Sequence, residues 1–315
     1  MADDLKLNDP WLVAVWPGMG HVASSAGYYL MAQLGVHMLA EFSPRELFDL
    51  EHVEVKGGII QPVRLPRSRF FLWRDPQQRH DILIFIGEAQ PPIGRHAFCR
   101  KLVEYAKQAG VTRVFTFAAM ATDMHPEHES RVFAAATDEE MLASLKARKL
   151  ELVDDGHISG LNGVLVGVAA EARLRGAVLL GEMPHIFSQL PFPKASLAVL
   201  KVFTEIAEVE IDFTELTEQA DAMSNRLGEL LSEAQKAIEN RLSGSEEDEE
   251  EDEFASSLQE DDDRLSAADE QRIERLFEQA RNNRAKAYEL KRELDRLEVF
   301  DQYEDRFLDL FKKSP

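Results

Sequence analysis

Between residues 11 and about 210, short apolar runs alternate with amphipathic stretches, and this alternation constrains the fold more than any other feature. The apolar runs are rich in β-branched and aromatic residues, as buried strands are. Strands are predicted at Trp11–Trp16, His37–Phe42, His52–Val55, Arg69–Trp73, Asp81–Ile86, Arg113–Ala118, Leu150–Asp154 and Ala177–Leu180. Helices are predicted at Val22–Leu34, His96–Ala109, Asp138–Lys149, Leu161–Arg173 and Lys194–Ala207. Helices between strands imply crossover connections, so the sequence predicts an α/β fold with a mostly parallel central sheet flanked by helices.

Residues 50–75 interrupt this alternation. Short apolar runs are separated there by Gly57-Gly58 and by Pro62 and Pro66. Paired glycines favour a tight turn, and proline is tolerated where a strand lies at an edge. This segment therefore predicts a hairpin at the edge of the sheet.

The composition changes after Ile211, and an α/β domain is predicted to span residues 1–212. A helix at 213–242 carries a heptad seam of Phe213, Leu216, Ala220, Met223, Leu227, Leu230, Ala234 and Ala237. A C-terminal helix at 264–315 carries a second seam of Ile273, Leu276, Ala280, Asn283, Ala287, Leu290, Leu294 and Leu297. A heptad seam needs a partner helix. The seams either pack on each other as a helical hairpin or form a coiled coil between subunits, in which Asn283 would set the register.

The formal net charge of −21 comes largely from the segment between these helices. Residues 246–253 are all acidic, and residues 260–263 add four more acidic residues, with no lysine or arginine from 243 to 263. A segment with this much charge cannot bury enough apolar surface to fold alone. Residues 243–263 are therefore predicted to be a disordered linker. Nucleic acid is not an expected partner, because phosphate binding needs clustered lysine and arginine.

The cellular setting is predicted from what the sequence lacks. Cys99 is its single cysteine and is assigned to the core, which fits a reducing compartment. No signal peptide is visible, and no uncharged apolar run is long enough to cross a bilayer. We therefore expect a cytoplasmic protein that does not bind membranes.

The first strand ends at Pro17-Gly18-Met19-Gly20, and Gly18 to Ala23 formally fits a dinucleotide-binding fingerprint. Counted along the sequence from the glycines, Glu41 stands near the position expected for a ribose-binding acid. The hairpin-like segment that follows, however, does not continue the βαβ unit. Three interpretations stay open, namely a dinucleotide site, a general anion or nucleotide pocket, and a plain tight turn. His21 is either a general acid/base or a hydrogen-bond partner of the backbone.

Glu88 and Glu182 each follow an apolar strand. They could form an acid/base pair, or each could accept backbone amides and hold its loop rigid. His125, His128 and the acids Asp123, Glu127 and Glu129 are interpreted as a solvated loop, because Pro126 interrupts any helical ligand spacing. Catalytic residues, a metal and a cofactor are therefore not predicted.

Five phrases carry a resemblance to a known family. They are Trp16-Pro17-Gly18-Met19-Gly20, Gly87-Glu88-Ala89-Gln90, Ile158-Ser159-Gly160-Leu161-Asn162-Gly163, Leu179-Leu180-Gly181-Glu182-Met183-Pro184 and Pro191-Phe192-Pro193-Lys194-Ala195. In this order, over about residues 8–225, the chain resembles the bacterial and archaeal form of the proteasome assembly chaperone 2 family. The resemblance implies a nucleoside phosphorylase-like three-layer fold, homo-oligomeric assembly and a protein-binding scaffold or chaperone role. Some archaeal relatives carry a C-terminal hydrophobic-Tyr-x tail that docks into proteasome pockets. Phe311-Lys312-Lys313-Ser314-Pro315 lacks that pattern, so a proteasome client is not expected.

The predicted function is that of a homo-oligomeric, assembly-chaperone-like scaffold that binds other proteins without catalysis. The candidate ligand or partner loops contain Gly18, Gly20, His21, Gly87, Glu88, Gly160, Asn162, Gly163 and Glu182. The alternative is a nucleotide- or nucleoside-binding enzyme related to phosphorylases or ATP-grasp ligases. Its pocket would be formed by Gly18, Gly20, Glu88, Gly160, Asn162 and Glu182.

Overall fold

The computed structural model describes residues 6–42, 44–48, 53, 55–242, 265–297 and 299–312. Its strands are β1 (Trp11–Val15), β2 (His37–Phe42), β3 (Val55–Lys56), β4 (Ile59–Ile60), β5 (Ser68–Trp73), β6 (Ile82–Gly87), β7 (Arg113–Thr122), β8 (Val132–Ala136), β9 (Glu151–Leu152) and β10 (Arg175–Pro184). Its helices are α1 (Val22–Leu34), α2 (Arg95–Gln108), α3 (Glu139–Ala147), α4 (Gly160–Glu171), α5 (Pro193–Ala207), α6 (Thr214–Leu242), α7 (Ala267–Asn282), α8 (Ala287–Arg296) and α9 (Phe300–Asp309). The predicted acidic linker, residues 243–263, lies entirely outside the described residues.

The main sheet has eight strands in the order β2-β5-β6-β1-β7-β10-β8-β9. Its centre, β6-β1-β7-β10, is parallel throughout. On one side β5 and β2 continue the sheet in antiparallel pairs, and on the other side β8 is antiparallel to β10 and parallel to β9. The predicted α/β fold with a mostly parallel sheet is therefore confirmed, although β8 was absent from the prediction.

Helices cover both faces of the sheet, as the strand sequences require. Alternate residues of a strand point to opposite faces. Trp11, Val13 and Val15 of β1 belong to the apolar cluster that includes α1 and α5, whereas Leu12 and Ala14 belong to the cluster that includes α2 and α4. A strand buried on both faces reads as a continuous apolar run, which is why β1 was recognisable.

The C-terminal helices belong to the main core. Tyr28 of α1 packs edge-to-face against Phe300 and Phe307 of α9. Beyond α9, Phe311 contacts Phe71 of β5, and its carbonyl accepts the N–H of Met38 in β2 at 2.7 Å. Helices α8 and α9 therefore help to complete the face that α1 covers.

The segment predicted as one C-terminal helix is three helices in the structure. Asn283 interrupts the first of them, because its backbone is extended and its side chain accepts the N–H of Ala285. A short 3-10 turn, Arg284–Lys286, then leads into α8. Asn283 thus ends a helix here, which differs from the predicted role of setting coiled-coil register.

The first heptad seam is only partly covered. Leu216, Ala220 and Leu227 of α6 are buried, and α6 packs against α5. Leu230 and the seam alanines beyond it are exposed. The covered half packs mainly against α5, a partner that neither the hairpin nor the coiled-coil interpretation anticipated, and Gln219 of α6 also accepts the hydroxyl of Tyr288 of α8.

The predicted hairpin forms, but as a separate two-stranded sheet of β3 and β4 outside the main sheet. Gly57 and Gly58 both have positive φ angles, which suits the tight turn between the two strands. The edges of the main sheet are β2 and β9 instead. Across the described residues, no helix combines the length and apolar character needed to cross a membrane.

Candidate functional site

The family phrases meet at the carboxyl edge of the parallel strands. The chain leaves β1 for strands on one side, and after β6 it crosses over to β7 on the other side. Such a switch between neighbouring strands creates a crevice at their carboxyl ends, which is where α/β proteins bind their ligands. Here we call that side of the sheet, with the loops that follow β1, β6, β7 and β10, the contact edge.

Gln90 bridges the loops at the switch point. Its Nε2 donates to the Pro17 carbonyl at 3.0 Å, and its Oε1 accepts the N–H of Leu161 at 3.0 Å. Gly160, with φ +76°, lies close enough that a Cβ would be 3.2 Å from Gln90 Oε1. Gln90 therefore ties the first glycine loop to the start of α4. It stood in a family phrase but was not among the predicted site residues.

Asn162 and Gly163 are used for packing at the start of α4. The Asn162 carbonyl accepts the hydroxyl of Thr116 at 2.6 Å, and the Asn162 side chain lies beside Gly18. A Cβ on Gly163 would come within 2.2 Å of the Ile158 carbonyl oxygen, so only glycine fits there. Asn162 and Gly163 therefore form the wall of the crevice next to the Gln90 side chain.

The first glycine loop is a tight turn that is hydrogen-bonded to the segment after β10. Gly20, with φ +61°, donates its N–H to Ser188 and accepts the N–H of Phe192, both at 2.9 Å. The N–H of His21 donates to the Gly18 carbonyl at 3.0 Å, so the N–H groups of Gly20 and His21 are both bonded within the chain and are not free to bind a phosphate. The tight-turn interpretation describes this geometry best. Partial desolvation and the nearby Lys291 of α8 lower the pKa of His21.

Glu88 belongs to a charge cluster at the end of β6. It accepts the N–H of Arg67 at 2.8 Å and pairs with Arg64 and Arg69, both at 3.1 Å. Burial raises the pKa of Glu88, while these donors act in the opposite direction. Arg69 is fully buried and also contacts Asp305 of α9. The cluster thus fixes the loop after β6 and links it to a C-terminal helix.

Glu182 fixes the loop of residues 123–131, between β7 and β8. It accepts the Thr122 hydroxyl at 2.8 Å and two N–H groups of Arg131 at 2.7 and 2.6 Å. The Arg131 guanidinium lowers the pKa of Glu182, although burial opposes this change. The Glu182 N–H also donates to the Arg131 carbonyl at 2.9 Å. All of these bonds hold the neighbouring loop of residues 123–131 against β10.

Lys194 holds the same loop from the start of α5. Its buried Nζ donates to the carbonyls of Pro126, Glu127 and His128 at 3.1, 3.0 and 3.2 Å. Three carbonyls satisfy the ammonium group without a carboxylate partner. The prediction missed this role, although Lys194 stood in a family phrase.

The two carboxylates are not brought together. Glu88 follows β6 and Glu182 lies in β10, and β1 and β7 run between these strands. Three strand spacings correspond to about 14 Å, too far for a shared proton relay through direct contact. The geometry fits the interpretation in which each carboxylate accepts a backbone amide and stiffens its loop.

A cleft of about 450 Å³ opens beside the Glu182 loop. It is lined by Thr122, Asp123, Met124, His128, Glu129, Arg131 and Glu182. Across the described residues, no group of three or more His, Cys, Asp or Glu side chains is placed to hold a metal ion. Cys99 is buried in the core, and burial raises its pKa to about 12.

Apolar side chains are exposed on the paired loops of the contact edge. We define the contact patch as Met19, Ile186 and Leu190, which are 44%, 51% and 43% exposed. The loop of Met19 is bonded to the loop of the other two residues through Gly20. The patch therefore sits on a backbone that is fixed in place.

Fold and site together define an α/β protein whose strand-end loops are held by their own side chains. A profile of the PAC2 family matches residues 12–231, so the chain belongs to this family. An uncharacterized protein of Methanocaldococcus jannaschii is 25% identical over 224 residues, which cover 69% of this chain and 81% of that protein.

Two solved structures share the fold. PbaB of Pyrococcus furiosus, an archaeal proteasome activator, has a TM-score of 0.61 and 26% identity, with 73% of this chain and 96% of that chain covered. A proteasome-assembly chaperone homologue of Mycobacterium tuberculosis has a TM-score of 0.60 and 21% identity, with 79% and 100% covered. The family model ends at residue 231, so α7, α8 and α9 lie outside it.

Proposed function

We propose that this chain is an assembly-chaperone-like protein that self-associates and binds other proteins through its contact edge, without catalysing a reaction. One observation carries the proposal. The charged groups of Glu88, Glu182 and Lys194 and the side-chain amide of Gln90 are bonded within the chain, while the apolar contact patch is exposed on loops at the same side of the sheet. The likeness to an archaeal proteasome activator supports a protein as the partner.

A fixed loop is suited to this role. Binding costs conformational entropy for each segment that must be ordered, so loops that are already ordered bind more tightly. Gln90, Glu182 and Lys194 each hold loop backbone through hydrogen bonds. Exposed apolar residues on such a frame are typical of protein interfaces.

The projecting part of α6 extends the same surface. Gly228 lies against Glu127, because a Cβ on this glycine would come within 2.6 Å of the Glu127 carboxylate. From Glu229 onward the described side chains are mostly exposed, and Leu230 is 41% exposed. The uncovered half of the first heptad seam therefore starts beside the loop of residues 123–131. This position makes it a second contact for a partner or for another copy of the chain.

The test is affinity capture from native extracts, followed by mass spectrometry. The variant Ile186→Asp/Leu190→Asp places two charges on the contact patch. Its matched control, Gln77→Asp/Gln108→Asp, places the same charges on exposed residues near the amino ends of β6 and β7, on the side of the sheet opposite the contact edge. We expect the control to capture the partners of the native chain and the patch variant to lose most of them, with equal melting temperatures.

Equal capture by both variants would overturn the contact edge as the binding surface. Light scattering at micromolar concentration tests self-association separately, and a monomer there would overturn that part of the proposal. A thermal-shift screen with nucleosides, nucleotides and phosphate tests the enzyme alternative. A ligand at a hundred times its dissociation constant stabilises a protein by about 2.7 kcal/mol, which the screen detects readily.

A further inference from the structure

The charge cluster at Glu88 joins the contact edge to α9. Asp305 of α9 contacts Arg64 at 3.0 Å, Arg67 at 2.9 Å and the buried Arg69. Arg64 and Arg69 also pair with Glu88, so the two carboxylates share two guanidinium groups. The chain segments that carry Glu88 and Asp305 are thus linked by a single set of ion pairs.

Arg69 is the centre of this link. It is fully buried, and its Nε has no hydrogen-bond partner among the described residues. A buried cation that loses one of its carboxylates is strongly destabilised unless another group moves to compensate. Without α9, Glu88 is the remaining carboxylate partner of Arg69 in this cluster, so the loop that follows β6 carries the whole interaction.

The C-terminal helices approach the contact edge at a second point. Lys291 and Asp295 of α8 and Asp301 of α9 lie close enough to His21 to act on its charge. His21 follows directly after the glycine loop that carries Met19. Two of the loops at the contact edge therefore lie near α8 and α9.

We propose that α9 regulates the contact edge, with Arg69 as the positioning residue that transmits its docking to the loop of residues 88–94. While α9 is docked, Asp305 completes the cluster and the loop is fixed. When α9 is released, the loop loses its fixed position, and Tyr28 of α1 loses its aromatic neighbours. The biological meaning of this coupling rests on the proposed function, whereas the coupling itself is measured without any partner.

Hydrogen exchange with mass spectrometry on the full chain tests this coupling. The variant Asp305→Asn removes the carboxylate that binds the three arginines. The matched control is Asp309→Asn, which lies on the same helix and pairs with Lys312 instead. We expect Asp305→Asn to speed exchange about tenfold or more in α9 and also at residues 87–90, where the Glu88 N–H donates to the Arg67 carbonyl. The control and the loop of residues 185–190 should stay unchanged.

Faster exchange in α9 with unchanged exchange at residues 87–90 would overturn the proposal, as would no change in either segment. If Asp305→Asn unfolds the whole chain, Arg67→Gln gives the decisive measurement. That change weakens the hold on Asp305, removes the ion pair of Arg67 with Glu41 of β2, and keeps the side-chain contacts of Glu88. The same two segments, α9 and residues 87–90, should again exchange faster together. The two tests are independent. Unchanged capture by Ile186→Asp/Leu190→Asp would leave the exchange result valid, and unchanged exchange at residues 87–90 would leave the capture result valid.

Discussion

Glu304 makes the stability of this protein depend on pH in a direction opposite to that of most carboxylates. The side chain is buried in α9, where it accepts the hydroxyl of Tyr28 at 2.5 Å. Burial, followed by the negative charge of Glu88, raises the pKa of Glu304 from 4.5 to about 7. The folded chain therefore holds this proton more tightly than the unfolded chain does, and the resulting stability is complete below pH 4.5 and lost as the pH rises through 7.

The magnitude follows from the two pKa values. The folded value of about 7 lies about 2.5 above the unfolded value of 4.5, and each pKa unit corresponds to about 1.36 kcal/mol, so about 3 kcal/mol is lost. The variant Glu304→Gln keeps an acceptor for Tyr28 and cannot ionise. We expect it to unfold with nearly the native free energy at pH 5 and to be about 3 kcal/mol more stable than the native chain at pH 8.

Urea titrations followed by tryptophan fluorescence at both pH values measure this difference. Glu278→Gln, an exposed position on α7, is the matched control and should change the free energy of unfolding by less than about 0.5 kcal/mol at either pH. Equal stabilisation of Glu304→Gln at pH 5 and pH 8, or a loss of stability at pH 8, would refute the reasoning.

Two further predictions concern the frame of the contact edge. Lys194→Met leaves the carbonyls of residues 126–128 without their donor. We therefore expect the free energy of unfolding in urea titrations to fall by about 2 kcal/mol and proteases to cleave that loop faster. Unchanged cleavage would show that the lysine does not hold the loop. Gly87→Ala places a methyl group 2.3 Å from the Trp16 ring and should cost about 2 kcal/mol. Gly167→Ala, with open space inside α4, should gain about 0.5 to 1 kcal/mol, and similar effects of the two alanines would contradict the packing argument.

The elements that were predicted well are those whose pattern is local. Helix α1 has its predicted ends, because the helical pattern stops at Gly35, which takes the left-handed conformation that closes a helix. Strand β8 was missed because its run of alanines, 134–136, has no β-branched signature. Its assignment depends on the antiparallel pairing with β10, and sequence periodicity does not contain that information.

The site was predicted to a similar extent. Glu88 and Glu182 were recognisable as carboxylates at strand ends, but their partners were not. Arg131 stands 51 residues before Glu182, and Asp305 stands 236 residues after Arg69. The heptad spacing likewise indicated which faces of α6 and α7 are apolar, whereas the surfaces that cover them depend on tertiary packing.

The docking of Phe311 and α9 on α1 and β2 has a consequence during synthesis. Translation proceeds at about 5 to 20 residues per second, so roughly 270 residues separate α1 from its last neighbours by about 15 to 50 s. Throughout that interval Tyr28 lacks its aromatic neighbours Phe300 and Phe307, however early α1 packs against the central strands and α5. The face of α1 that carries Tyr28 is therefore completed only when the last residues of the chain have been synthesised.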